Sequence, residues 1–408
     1  MSKYLIGLLL IAACSAESKP AASAADAVAD VAADTTAQTA GAPDAAADAA
    51  PNGDAAADAA TPAAPFGVGV LEIEVKGANG RILPTTVWYP IAAGTKGDTY
   101  VYLGMLTSPL GAIEKAPAAK GPFPLVAFSH GNQGIRQQSV FLTEELARHG
   151  YVVVAPDHVG NTFLDYDAKL LMAISIFRPL DITASIDRVL QPTALDPAWL
   201  KELIDADKIA VTGHSFGGYT TLAVAGVPVD VPAKYVPDCS LPTAHTETCQ
   251  ALKLAGPLPW VLGDKRVKLI VPLAHCGQLE TFGFVLPKMA DLKVPAIFQA
   301  STADTLCEYK VQALPAYAAW GGPKALVSMQ GGNHFTYSDL CLLPISAGPS
   351  FAQYCKDRSP ALDVAHKSIV DFSLAACDAY LKGDTAAKKA FAAGNYGVVA
   401  VQSQGIAP

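Results

Sequence analysis

The chain has 408 residues, 51% of them apolar and 16% charged, with a formal net charge of −8 at pH 7. Ser15–Pro65 holds eight acidic residues and one lysine, so nearly all of the net charge lies there and the rest is close to neutral. That balance excludes a basic nucleic-acid surface and leaves about 340 residues for one large domain with a substantial core.

Residues 1–13 read as a signal peptide. Lys3 supplies the positive charge, and Tyr4–Ala13 is an apolar run too short for a permanent span of roughly 20 residues. The run ends Ile11-Ala12-Ala13-Cys14, which resembles a bacterial lipobox. It predicts cleavage before Cys14, a lipid anchor on its thiol, and export to the cell envelope. Ser15 in the following position favours the outer membrane by the same resemblance. An ordinary signal peptide with a chance cysteine is the alternative. Residues 14–65 are Ala, Asp, Thr and Pro, with DAAADAA twice, and read as a solvated tether spanning about 40 Å.

From residue 66 onward strand and helix patterns alternate. Val70–Val75 and Thr85–Tyr89 alternate apolar and polar residues, as half-buried strands do. Pro124–Phe128 is a buried strand, Ser139–Arg148 a helix, Tyr151–Ala155 a strand, and Arg178–Leu190 a helix. Ile209–Thr212 is a strand and Phe216–Val224 a helix. Val267–Leu273, Ala296–Gln299 and Ala325–Met329 are further strands, and Ala361–Leu381 is a closing helix. The pattern predicts an α/β domain, a mostly parallel sheet with helices on both faces. Residues 226–266 interrupt it as a Pro-rich insertion, read as a cap over a pocket or as a remote surface loop.

Seven cysteines follow Cys14. Cys239 with Cys249 and Cys341 with Cys355 are the favoured local disulfides, Cys276 with Cys307 is a third candidate, and Cys377 is then left free. A zinc site is the competing reading, but no CxxC or HxxxH spacing supports it.

Gly213-His214-Ser215-Phe216-Gly217 fits the nucleophile elbow of the α/β-hydrolase fold, because it follows a strand and opens a helix. Ser215 is the expected nucleophile. A serine hydroxyl needs a base, and His334 follows the Ala325–Met329 strand through two glycines. Asp304, after the Ala296–Gln299 strand, completes the order Ser, Asp, His; it could instead cap a helix over Leu306–Tyr317, with Glu308 and Asp291 as fallback acids. The oxyanion donors are expected to be the backbone N–H groups of Phe216 and Asn132, with Gln133 as the alternative to Asn132. Trp260, Phe282 and Phe284 could line an acyl pocket, although aromatics of this kind are more often simply core.

The motifs FSHGNQG, GYVVVAPDHVGNT, RPLDITASIDRVL and GHSFGGYT, with the strand ending Val87-Trp88-Tyr89-Pro90, resemble bacterial relatives of platelet-activating-factor acetylhydrolase, the dienelactone-hydrolase-like serine esterases. The likeness runs from Phe66 to Ala376. It implies carboxyl-ester hydrolysis on short or phospholipid-like acyl esters, with no metal or organic cofactor. Two departures stand out. The animal enzymes take their acid from the end of the strand after the nucleophile helix, where this chain has Pro272-Leu273-Ala274-His275. True dienelactone hydrolases carry a cysteine where this chain has Ser215. A polyesterase or cutinase-like activity and a non-catalytic surface lipoprotein are the rival expectations.

Overall fold

The computed structural model describes residues 64–279, 282–343, 354–355 and 359–406. The signal peptide, Cys14 and the tether up to residue 63 lie outside these.

Fifteen strands are seen among the described residues: β1 (Phe66–Lys76), β2 (Ile82–Ala92), β3 (Val101–Tyr102), β4 (Leu106–Thr107), β5 (Ile113–Glu114), β6 (Phe123–Ser129), β7 (Val152–Pro156), β8 (Ile204–His214), β9 (Val229–Asp230), β10 (Val267–Leu273), β11 (Gly283–Phe284), β12 (Ala296–Ser301), β13 (Lys324–Met329), β14 (Gly394–Tyr396) and β15 (Val399–Gln404). Eleven form one sheet, in the order β14-β15-β13-β12-β10-β8-β6-β7-β2-β1-β5. Its centre, β7 through β13, is parallel. The flanking strands β2 and β15 run antiparallel to their neighbours.

Strand alternation splits the core in two. On β6, Leu125 and Ala127 face one apolar cluster and Val126 and Phe128 the other. A strand covered on both faces must be apolar at every position, which is how β6 and β7 read in sequence. Helices α1 (Val140–Arg148) and α6 (Leu362–Cys377) cover one face. Helices α2 (Leu171–Leu190), α3 (Phe216–Val224) and α5 (Ala313–Ala319) cover the other, and α4 (Thr246–Ala255) packs outside α2. All nine residues of α3 are buried. No helix among the described residues is long and apolar enough to cross a membrane.

The structure adjusts two helix bounds and adds detail in two places. Helix α2 starts at Leu171, seven residues before Arg178, so Pro179 lies inside it. An internal proline has no N–H for the carbonyl four residues earlier. Here that carbonyl, Ser175 O, accepts from the Tyr219 hydroxyl at 3.0 Å, so the helix continues through the proline. Of the helix expected over Leu306–Tyr317, only α5 forms, because the Asp304 side chain holds residues 306–307 in a turn. Strands β14 and β15 extend the sheet beyond β13, which the short, Gly-interrupted sequence GNYGVVAVQSQ does not announce. The insertion 226–266 has local structure of its own: Val229 pairs with Trp260, β9 pairs with β11, and Val229, Val231, Ala251, Trp260 and Leu262 sit in the core.

Disulfides join Cys239 to Cys249, Cys276 to Cys307 and Cys341 to Cys355, and Cys377 is buried without one.

Candidate active site

Three loops at the carboxyl ends of β8, β12 and β13 converge. Ser215 sits between β8 and α3 with φ 61° and ψ −119°, a conformation costly for a residue with a Cβ. The packing around it imposes this. A Cβ on Gly217 would lie 1.8 Å from Ser129 O, and one on Gly213 would lie 2.6 Å from the carbonyls of Gly217 and Ser129. Strand β6, the elbow and α3 are therefore in backbone contact, and only glycine fits at both positions.

The Ser215 hydroxyl lies 2.7 Å from His334 Nε2, and His334 Nδ1 lies 2.7 Å from Asp304 Oδ2. All three residues are almost fully buried. Asp304 accepts on Oδ2 from His334 and on Oδ1 from the amides of Leu306 and Cys307, each at 2.9 Å. It is thus both the relay carboxylate and the cap of its own turn, because a carboxylate has two oxygens to offer. His275, just past β10, is a buried histidine whose pKa falls to about 4 through burial. His334 rises from a short helical turn capped by Asn333, whose side chain accepts from the Phe335 amide.

The turn after β6 lies beside the nucleophile: a Cβ on Gly131 would come within 3.2 Å of Ser215 Cβ. Asn132 follows directly, and Phe216 follows Ser215 at the start of α3. The side chain of Asn132 accepts from Asn161 Nδ2 at 2.7 Å, which fixes the turn.

Sequence reasoning missed a second tier of residues. The Gly131 amide donates to Gln138 Oε1 at 2.8 Å, Gln138 Nε2 donates to His214 Nδ1 at 2.7 Å, and His214 Nε2 donates to the carbonyl of His334 at 2.8 Å. Burial holds the His214 pKa well below its ordinary value, so the ring is neutral and can accept on one nitrogen while donating on the other. The variable position of the elbow therefore carries the backbone of the base. Its identity as histidine was the one available signal; Gln138 had none.

Cys276, Cys307 and His334 place their ligand atoms within 4.8 Å of one another. Both sulfurs belong to a disulfide, so neither offers a thiolate to a metal ion. Of the two readings of Trp260, Phe282 and Phe284, the structure shows the core: all three are buried, and Phe282 lies against Tyr219 with ring centroids 5.3 Å apart.

A serine–histidine–aspartate relay at the strand ends of a parallel sheet, on a strained elbow, defines the α/β-hydrolase fold. The comparisons with known proteins agree. Residues 104–236 match the family model described as chlorophyllase. Cutinase est2 of Thermobifida alba is 26% identical over 222 residues, which are 54% of this chain and 55% of that one. Platelet-activating factor acetylhydrolase of Canis lupus familiaris is 29% identical over 161 residues, 30% of this chain and 36% of that one. The chain therefore spans about half the length, or less, of these two curated relatives. A solved structure, ferulic acid esterase from Streptomyces cinnamoneus, superposes with a TM-score of 0.56 at 20% identity, covering 79% of this chain and 93% of that one.

Proposed function

We propose that the protein is a serine carboxyl-ester hydrolase working through an acyl-enzyme, on short-chain or phospholipid-like acyl esters. The observation that carries this is the unbroken chain from Ser215 Oγ through His334 to Asp304. His334 Nε2 accepts the hydroxyl proton as Oγ attacks the ester carbonyl. Asp304 keeps the Nδ1–H tautomer and stabilises the imidazolium. The amides of Phe216 and Asn132 meet the oxyanion. His334 then returns the proton to the departing alcohol, and a water activated by the same histidine releases the acid.

A polyesterase or cutinase-like activity is the second reading; the match to the Thermobifida alba cutinase, over 222 residues, favours it. Anchoring through a lipid on Cys14 at the outer membrane belongs to either reading and rests on the lipobox. A solid polyester substrate would suit an enzyme held on a long tether.

A fluorophosphonate probe tests the chemistry. Labelling of the folded protein that disappears in Ser215→Ala supports it, and absence of labelling favours a non-catalytic binding protein. Release from a polyester film, measured beside hydrolysis of nitrophenyl esters of increasing chain length, separates the two substrate classes. Loss of membrane association in Cys14→Ala tests the anchor.

A further inference from the structure

Three of the motifs noted in sequence meet in one buried network that the catalytic relay does not use. Ser129 ends β6, His130 and Asn132 come from the turn after it, His158 and Asn161 from the loop after β7, and Arg178 and Asp181 from α2. Arg178 is completely buried. Its Nε donates to Thr220 Oγ1 at 3.0 Å, one terminal nitrogen to Asn161 Oδ1 at 2.7 Å, and the other to Ser129 Oγ at 3.0 Å and to the carbonyl of His130. Its guanidinium lies 4.7 Å from the centroid of the Phe216 ring. Asn161 is 1% exposed and passes the link on to Asn132 Oδ1.

The arrangement is self-consistent in its protons. Burial keeps His158 and His130 well below the usual histidine range, so both are neutral. His158 Nδ1 donates to Asp181, its Nε2 accepts from Ser129, and its amide donates to His130 Nε2. Asp181 also accepts from Arg81 at 2.6 Å. Burying a guanidinium costs several kcal/mol and is tolerated only when its donors are satisfied. An apolar side chain would fill the same volume at lower cost. What the arginine adds is a rigid fork that grips two separate segments at once.

Those two segments flank the nucleophile: the turn through Asn132, where a Cβ on Gly131 would come within 3.2 Å of Ser215 Cβ, and α3, which Phe216 opens directly after Ser215 and which Arg178 holds through Thr220. We infer that Arg178 and Asn161 are positioning residues of the oxyanion hole, fixing the amide of Asn132 relative to that of Phe216. This rests on the ester-hydrolase reading above. Neither residue touches the reacting atoms; both act through the backbone they hold.

The test compares full-length wild type with Asn161→Ala and Arg178→Lys. Sites are titrated with a fluorophosphonate, so that kcat and KM for a nitrophenyl acetate are expressed per active site. Affinity for a trifluoromethyl ketone, which adds Ser215 Oγ to give a tetrahedral oxyanion, is measured alongside. The expected result is a fall in kcat per site of about 10- to 10²-fold, short of the ~10²–10³ lost when a donor is removed outright. KM should stay within about twofold, and ketone affinity should fall in step with kcat, because both report the oxyanion. A purely structural role would lower the number of titratable sites and leave the rate per site unchanged, which overturns the inference. So would a fall in kcat with ketone affinity intact. If Arg178→Lys does not fold, Asn161→Ala decides alone, since among the described residues its side chain bonds Arg178 and Asn132 and no other. A folded wild type that resists the fluorophosphonate overturns the ester-hydrolase reading and this inference with it; a labelled wild type with an unimpaired Asn161→Ala overturns only the positioning.

Discussion

Cys276 and Cys307 join the nucleophile to the acid. The Cys276 amide donates to Ser215 O at 3.1 Å, the Cys307 amide donates to Asp304 Oδ1 at 2.9 Å, and one disulfide connects the two residues. The loops after β10 and β12 are thus tied together directly beneath the relay. Closing 31 residues of chain stabilises the folded state by about 3–4 kcal/mol in the chain-entropy model. Replacing both cysteines by alanine should lower stability by roughly that amount, read from urea midpoints. It should also lower kcat at temperatures where the variant is fully folded, by about tenfold, because small displacements of the acid are costly to proton transfer. Unchanged kcat in the folded variant would show that the disulfide is only a staple.

Asp304→Asn tests the carboxylate. An amide can still accept from Leu306 and Cys307 through its oxygen, but its nitrogen then faces His334 Nδ1. The histidine would be driven to the tautomer protonated on Nε2, which cannot take the serine proton. The expected loss in kcat is about 10⁴-fold, with the folded state retained. A tenfold loss or less would point to another acid.

Gly217→Ala tests the elbow. The added methyl would meet backbone rather than a movable side chain, since Ser129 O is 1.8 Å away. The destabilisation should exceed about 3 kcal/mol, seen as loss of soluble folded protein. A variant with normal thermal stability would contradict the close approach of β6 and α3.

Acid sensitivity should follow from neutral buried histidines. Burial depresses the His275 pKa to about 4 in the folded state, against 6.5 for the unfolded chain. Between those values the unfolded chain binds more protons. The contribution of His275 to stability is therefore fully present above pH 6.5 and is lost as pH falls towards 4, by about 1.4 kcal/mol per pH unit. Asp181 and Asp339, pushed up to about 7 by burial, act with the opposite sign, so the comparison must be between wild type and His275→Gln. Denaturant midpoints from pH 7 to 5 should fall more steeply in wild type than in the variant. Parallel slopes would refute the assignment.

The sheet and relay were legible because each rests on a local rule. Apolar runs such as Val152–Ala155 mark buried strands, and glycines two positions either side of Ser215 mark the elbow. The sequence pattern starts α2 only at Arg178, beside Pro179, and nothing local shows that Tyr219, forty positions on, satisfies the freed carbonyl of Ser175. Gln138, Asn161 and Arg178 escaped for the same reason: their partners lie far along the chain. His214 was visible but read only as a variable position. The disulfides were legible from spacing, but the link from Cys276 and Cys307 to the relay is a fact of tertiary contact.

Strand β15 lies along the outer side of β13, pairing Val399 with Met329, and the Gln330 amide donates to Val398 O at 2.8 Å. The last turn before His334 is thereby hemmed by residues close to the carboxyl terminus. Clipping the chain ahead of residue 394 would strip that hem and leave the outer edge of the six-residue strand β13 unpaired beside the base, an edge to which another molecule can add its own strand. Proteolytic trimming at this end would then register first as self-association and only afterwards as lost turnover.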